Sequence, residues 1–333
     1  FSLRRDNFTE TQIGLTQQLT RPEKRRLRRQ RGQDVAAVAS AELESMALEI
    51  RRDTALAWLE VWWRQRAAEL AMAAATAADL QVQAMDIAYT AGRTAQADVL
   101  TARVTVELLR DDVADLEQKG HEARNELSRW IGSAADRPVP AELPAWTPPP
   151  ALPDLLGDAH THPMLTATAR QAAVAADEVG LARAAYKPDW TVGVYYANRL
   201  DYADFVGVNF TVGLPMFTAD RQDRSLAAGL EEKNRAEQLH EDLERRHAAQ
   251  IRQNYSNWQR LQERIVRYDS SILPQSLQRT EAARLAWQSG QGSLAAVLDA
   301  RRVDLQNQLR RLELKRDAAA ARITLRYLAG EQP

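Results

Sequence analysis

Histidine is the first residue type to weigh for chemistry here, because the chain has five histidines and no cysteine. His160 and His162 stand two apart in proline-rich text, where their ring nitrogens could begin a metal site. Such a site needs at least three protein ligands, and no third donor follows at ligand spacing. His121, His240 and His247 fall in helical text, again without that spacing. The lack of cysteine removes thiol catalysis and cysteine metal ligation. Arg21, Lys24, Arg25, Arg26, Arg28, Arg29 and Arg31 form a basic run that could neutralise phosphates. It has no interleaved aromatics, and a formal net charge of −1 supplies no global field for nucleic acid. A solvated or headgroup-facing belt, where a strand becomes a helix, is the expectation for it. No Gly-rich phosphate loop, Ser-His-Asp order or paired-carboxylate constellation stands out. The chain reads as no enzyme, with no catalytic residue, metal or cofactor, and its many acids as the solvated face of coiled coils.

Two acids stand apart. Asp98 and Asp299 each lie near the expected start of a helix, where a carboxylate faces the positive end of the helix dipole. The segments that hold them repeat one another. Ala88-Tyr-Thr-Ala-Gly-Arg-Thr-Ala-Gln-Ala-Asp-Val-Leu-Thr-Ala-Arg103 returns as Ala286-Trp-Gln-Ser-Gly-Gln-Gly-Ser-Leu-Ala-Ala-Val-Leu-Asp-Ala-Arg301. Gly92, Val99, Leu100, Ala102, Leu127 and Gly132 fall on Gly290, Val297, Leu298, Ala300, Leu325 and Gly330 at one spacing. A match of that length marks a duplicated structural unit.

The elements around these segments follow from periodicity. Thr11 to Leu19 alternates with period two and reads as a strand. A helix is expected from about Glu23 to Tyr89; at 1.5 Å per residue it would be roughly 100 Å long, too long for one globular core. Gly92 breaks it as a left-handed cap, Thr94 is placed to cap the next helix, and that helix stops at Gly132. Val106, Leu109, Val113, Leu116, Ala123, Leu127 and Trp130 make its coiled-coil seam. Seven prolines from Pro138 to Pro153 make an extended linker. Helix resumes near Pro163 and ends before Lys187-Pro188.

Two strands come next. Trp190, Val192, Val194 and Tyr196, then Val206, Val208, Phe210, Val212 and Leu214, share an apolar face opposite small or polar residues. Each has the length of a tilted membrane strand, about ten residues. A second long helix from about Asp220 to Gln288 carries Ile251, Tyr255, Trp258, Ile265 and Ile272 on its seam. A turn at Gly290 and Ser293 leads into the last helix, which ends at Gly330. Trp58, Trp62, Trp63 and Trp258 are expected to pack between helices. No run of about 20 apolar residues occurs, so a spanning helix is not expected; alternating strands leave a weaker trace and remain open.

The domain plan is thus a first repeat over residues 1–133, a Pro-rich linker over 134–158 and a second repeat over 159–333. The fragment Phe1–Arg4 reads as the end of a further strand. By repeat symmetry a helix of roughly 40 residues is expected before the first strands. Four strands cannot close a membrane barrel, for which about eight is the minimum, and an open edge is not tolerated in lipid. Strands that span a membrane would therefore have to be shared among copies of the chain, as a dimer or a trimer.

On these residues the chain resembles the TolC family of outer-membrane efflux proteins. The resemblance is carried by both turn segments, by His162-Pro-Met-Leu165 through Tyr186-Lys-Pro-Asp-Trp190, and by Gly14–Leu19 and Val212-Gly-Leu-Pro-Met-Phe217. It implies a mainly α fold: long helical hairpins forming a coiled-coil barrel, with a twelve-stranded membrane β-barrel shared by a homotrimer. It further implies a passive exit duct in the outer membrane of a Gram-negative bacterium, extending into the periplasm. The partners implied are a periplasmic adaptor (membrane fusion) protein, an inner-membrane transporter and outer-membrane lipid, with no nucleic acid. By the same resemblance Asp98, Trp287 and Asp299 belong to the tunnel gate. Gly92, Arg93, Thr94, Gly290, Gln291, Gly292 and Ser293 belong to the tip that the adaptor contacts. A family arginine position is Gly292 here, a family tyrosine position is Trp287, and a second acidic position is Ala296. Leu214–Asp223 resembles the heavy-metal branch. The competing reading is a soluble coiled-coil scaffold with a small β-domain; it explains the heptads and the repeat but not the two-faced strands.

Overall fold

The structure, a computed structural model, describes residues 10–199 and 202–331. The fragment Phe1–Arg4 lies outside the described residues. The chain divides into two compact units: residues 1–44 with 163–245, and residues 45–162 with 246–333.

In the first unit, β1 (Thr11–Leu19), β2 (Trp190–Asn198) and β3 (Phe205–Val212) form an antiparallel sheet in the order β1-β2-β3. Its register places Leu15 opposite Val194 and Val194 opposite Val208, so one face collects the apolar residues of all three strands. Ile13, Leu15, Val194, Val206, Val208 and Phe210 on that face are all exposed. The other face is built around Tyr195, which stands in register between Gly14 and Gly207. A Cβ on Gly207 would lie 2.3 Å from the Tyr195 ring, so only glycine lets that ring lie flat across β3.

The sheet is tied to helices by buried ionic contacts. In α1 (Pro22–Thr90), Lys24 is buried; its Nζ lies 3.0 Å from Asp189 Oδ2 and donates to the Lys187 carbonyl at 2.7 Å. Arg21 Nε donates to the Pro188 carbonyl at 3.0 Å. Removing one partner of so enclosed a pair costs more than the pair contributes. Part of the basic run is therefore structural, and the belt expected from sequence is reduced accordingly. Helix α4 (Pro163–Ala184) meets α1 at Gly180, where a Cβ would press on Leu27 at 3.2 Å, and through Arg31–Glu178 at 2.8 Å. Helix α5 (Gln222–Arg267) meets α4 through His240, whose Nδ1 is 2.9 Å from Thr168 Oγ1.

In the second unit, α1, α2 (Gln96–Ile131), α5, α6 (Leu273–Gln288) and α7 (Leu294–Leu328) enclose apolar clusters. Val106, Leu109 and Leu127 of the expected α2 seam are buried, and Val113, Leu116 and Ala123 are half-buried against the same clusters. Trp62 is buried, with Trp58 and Trp63 packed beside it, while Trp258 packs against Ile251 and Leu261.

Two features depart from the sequence reading. The second long helix is interrupted by a π-helical turn at Tyr268–Ile272, immediately before Pro274. Proline has no N–H to give the ladder, and a widened turn accommodates the break. Within the Pro-rich linker, Leu152–Asp158 forms a short helix, α3, because Pro153 occupies a first-turn position where no N–H is needed. Leu155 of α3 is buried against Leu48, Ile251 and Leu328.

Candidate functional site

The repeated segments form the ends of two helical hairpins, α1–α2 and α6–α7. Both turns use one hydrogen-bond pattern. Gly92 N donates to Tyr89 O at 2.8 Å and Arg93 N to Ala88 O at 2.9 Å; Gly290 N donates to Trp287 O at 3.0 Å and Gln291 N to Ala286 O at 2.9 Å. This double bond closes a helix with a left-handed residue, and Gly92 and Gly290 have φ of 70° and 74°. Gly290→Val is expected to cost about 1–2 kcal/mol, because a Cβ at that φ meets the following carbonyl. Thermal unfolding against wild type measures it; an unchanged midpoint would mean that the turn is not built this way.

Beyond the glycines the two turns differ. Ser293 caps α7 by accepting from Ala296 N at 3.2 Å. The equivalent role expected of Thr94 is not realised: Ala95 is the residue that precedes α2, and the Thr94 hydroxyl instead reaches Asp98 at 3.5 Å. Gly292 is held close to the end of α6, where a Cβ would approach Ala286 and Trp287 backbone atoms at 3.2 Å. A family arginine at this position would have to displace that contact. Arg93, Gln291, Gly292 and Ser293 are exposed.

Behind the turns lies one apolar cluster, in which Val82 and Met85 of α1, Val99 and Val106 of α2, and Leu294 and Val297 of α7 are buried, with Trp287 half-buried against them. Repeat mates share this burial at Val99 and Val297 and at Ala102 and Ala300. They part at Leu100 and Leu298: Leu298 is buried, whereas Leu100 is half exposed and heads a stripe with Val104 and Leu108.

The acids of the tip are held separately. Asp98 is exposed in the first turn of α2, so the dipole accounts for it. Asp299 is past the first turn of α7 and is paired with Arg279 of α6 at 2.6 Å, both side chains more than half exposed. Among the described residues no hydrogen bond or ion pair joins Asp98, Trp287 and Asp299 to one another.

Sequence reasoning missed Arg279, and with it Asp86–Arg103 at 2.9 Å and Asp79–Arg110 at 3.0 Å. A signal for the last two was present. Both pairs are centred on the same point between Thr94 and Ala95, as partners across an antiparallel hairpin must be, and they are one heptad apart. In the second hairpin Arg279–Asp299 has the reverse polarity, whereas Asp269–Arg311 again places the acid before the turn and the arginine after it.

His162 was also undervalued. It and His247 are fully buried with ring centroids 4.9 Å apart, and the Tyr327 ring meets His162 edge-on at 5.1 Å. His247 Nε2 donates to the Leu328 carbonyl at 2.8 Å. Among the described residues no group of three or more His, Cys, Asp or Glu is gathered that could hold a metal ion.

Two long antiparallel helical hairpins with matching tips, and a small sheet apolar on one exposed face, define a TolC-type outer-membrane channel fold. The family model for outer membrane efflux proteins matches residues 159–331, just over half of the chain, and the chain belongs to that family. No curated relative matches it. Among solved structures, the outer-membrane channel OprN aligns over 99% of this chain and 84% of its own, with a TM-score of 0.84 at 17% identity. The outer membrane protein VceC of Vibrio cholerae aligns over 99% and 88%, with a TM-score of 0.81 at 21% identity. The MtrE outer membrane channel of Neisseria gonorrhoeae, solved in its open state, aligns over 99% and 82%, with a TM-score of 0.78 at 17% identity. The mainly helical fold with a small sheet, expected from the sequence, is the fold these proteins share, and the chain is an efflux protein of the outer membrane.

Proposed function

We propose that this chain is the exit duct of a tripartite efflux system, a passive conduit assembled as a homotrimer across the outer membrane and into the periplasm. The observation that carries the reading is the sheet. Among the described residues it has three strands, its two outer strands have open edges, and one face is mostly apolar and largely exposed. Lipid satisfies that face, and strands beyond these three, those of further copies among them, satisfy the edges. A twelve-stranded barrel shared by three copies takes four strands from each chain. The exposed stripes Leu43, Met46 and Ile50 on α1 and Leu100, Val104 and Leu108 on α2 recur at three, four or seven residues. Such stripes are covered when hairpins of neighbouring copies pack as a coiled-coil cylinder. We read residues 1–133 and 159–333 as one duplicated unit on either side of the linker.

The tip residues Gly92, Arg93, Thr94, Gly290, Gln291, Gly292 and Ser293 then meet a periplasmic adaptor, which couples the duct to an inner-membrane transporter. Asp98, Trp287 and Asp299 line the closing end of the tunnel. Leu214–Asp223 supports a heavy-metal ion as cargo, with selection made by the pump. The scaffold reading would leave the apolar sheet face in water.

Purified protein reconstituted in a planar bilayer tests the reading: discrete conductance steps are expected, and their absence with correctly inserted protein would reject it. Asp299→Ala sharpens the test at the tip. Because the Asp299–Arg279 pair is exposed, its loss changes stability by less than about 1 kcal/mol. It also leaves the Arg279 cation unpaired, so block by divalent cations is expected to weaken. Block unchanged from wild type would remove Asp299 from the gate.

A further inference from the structure

Phe217 has the only positive φ among the described non-glycine residues, 55°, and its side chain is 84% exposed, more than any other large apolar residue described. Leu214 and Met216 beside it are exposed as well. A left-handed conformation is strained for an ordinary L-residue, whereas glycine adopts it freely. A bulky aromatic held there in water would combine backbone strain with apolar exposure. Strain of this kind persists where the side chain has a use.

The position of the segment indicates that use. It begins two residues after the end of β3, and its Leu214 continues the alternation Val206, Val208, Phe210, Val212 of the apolar sheet face. The chain then turns through Thr218–Asp220 into α5; exposed Arg221 lies just before that helix, and Arg224 in its first turn pairs with Asp220 at 2.8 Å. An apolar and aromatic tip at the end of a spanning strand, followed four residues later by the exposed Arg221, matches the layering of a bilayer edge: acyl chains, then glycerol, then phosphate.

We propose that Leu214, Met216 and Phe217 form a lipid-inserted wedge that seats the base of the barrel in the acyl–headgroup boundary of the membrane, with the left-handed backbone at Phe217 aiming its ring outward. The proposal rests on the barrel reading above. The occupant is phospholipid and not a second copy of the chain, because the segment prolongs the face that lipid covers and leads to Arg221, an exposed cation suited to phosphate.

No cysteine occurs in this sequence, so a single introduced cysteine gives one labelling site within it. Phe217→Cys, Val208→Cys and Thr211→Cys are each labelled with a nitroxide in full-length protein reconstituted into phosphatidylethanolamine–phosphatidylglycerol vesicles. Collisions with oxygen and with a water-soluble nickel chelate are then compared. At Phe217 oxygen access is expected to exceed nickel access, with a ratio between that of the Val208 label and that of a headgroup-labelled lipid. Free access of nickel at position 217 together with a lipid-exposed Val208 label would overturn the wedge and leave the barrel reading intact. A label at 217 immobile and closed to both reagents would overturn it in favour of a protein neighbour. Nickel access at both 208 and 217 would reject the barrel reading itself. The Thr211 label, on the opposite sheet face, is expected to be open to nickel throughout.

Discussion

Val208→Arg is expected to abolish assembled channel in the outer membrane. Val208 lies in the middle of β3, 70% exposed on the apolar face, opposite Val194 on β2. A charged side chain on the lipid face of a barrel costs about 2–4 kcal/mol near the midplane. Three copies share one barrel in the proposed assembly, so the penalty is roughly tripled, comparable to the whole stability of a folded domain. Thr211→Arg is the matched control, because Thr211 stands on the other face, opposite Thr191, and an arginine there would enter water. The measurement is the heat-resistant oligomer in the outer-membrane fraction. Loss with Val208→Arg and retention with Thr211→Arg is the expected outcome; equal tolerance of both would mean that neither face meets lipid.

The second large effect is acid sensitivity of the unit that contains His162 and His247. Burial, chiefly, and then the neighbouring His247, push His162 down to about 4 from an ordinary value near 6.5; Arg52 acts in the same direction, and a backbone hydrogen bond at Tyr327 opposes them. Burial also lowers His247, against its bond to the Leu328 carbonyl. The other groups around the pair are the Tyr327 ring, with the Arg52 guanidinium 4.3 Å from its centroid, and Glu49, which accepts from the Tyr327 hydroxyl at 3.3 Å. The folded protein therefore holds His162 neutral, while the unfolded chain protonates it below about pH 6.5. Its contribution is complete above that value and is lost progressively as pH falls towards 4. The loss from His162 alone is about 2–3 kcal/mol. His162→Phe is expected to flatten the decline in unfolding temperature between pH 7 and 4 relative to wild type. A decline as steep as wild type in that variant would assign the acid sensitivity to carboxylates.

The two effects also show what could and could not be read from the sequence. The sheet face was legible because period two is local: Val206, Val208 and Phe210 announce their common side without knowledge of any partner. The hairpin turns were legible for a related reason, since a left-handed glycine closing a helix is a property of a few residues, and Gly92 and Gly290 appear twice in the same setting. The histidine pair was hidden. His162 and His247 are 85 residues apart on different elements, neither at ligand spacing, and only packing against Tyr327 brings them together.

Thr94 shows a local rule overridden, because the backbone enters α2 one residue later, at Ala95. The π turn before Pro274 shows another. The proline marked a place where the helix must adjust, but kink, break and widened turn are alternatives that only the neighbouring helices decide. Asp299, which the family likeness places in the tunnel gate, is tied to Arg279 across its own hairpin, a pairing that the sequence did not announce.

The particle mass of the full-length protein, extracted from the outer membrane in mild detergent and weighed by native mass spectrometry, bears most directly on the shared barrel. Three chains in one detergent-bound particle is the predicted result. A single chain that stays dispersed and folded in water without detergent would contradict it, because the open strand edges and the exposed apolar face would then be stable alone.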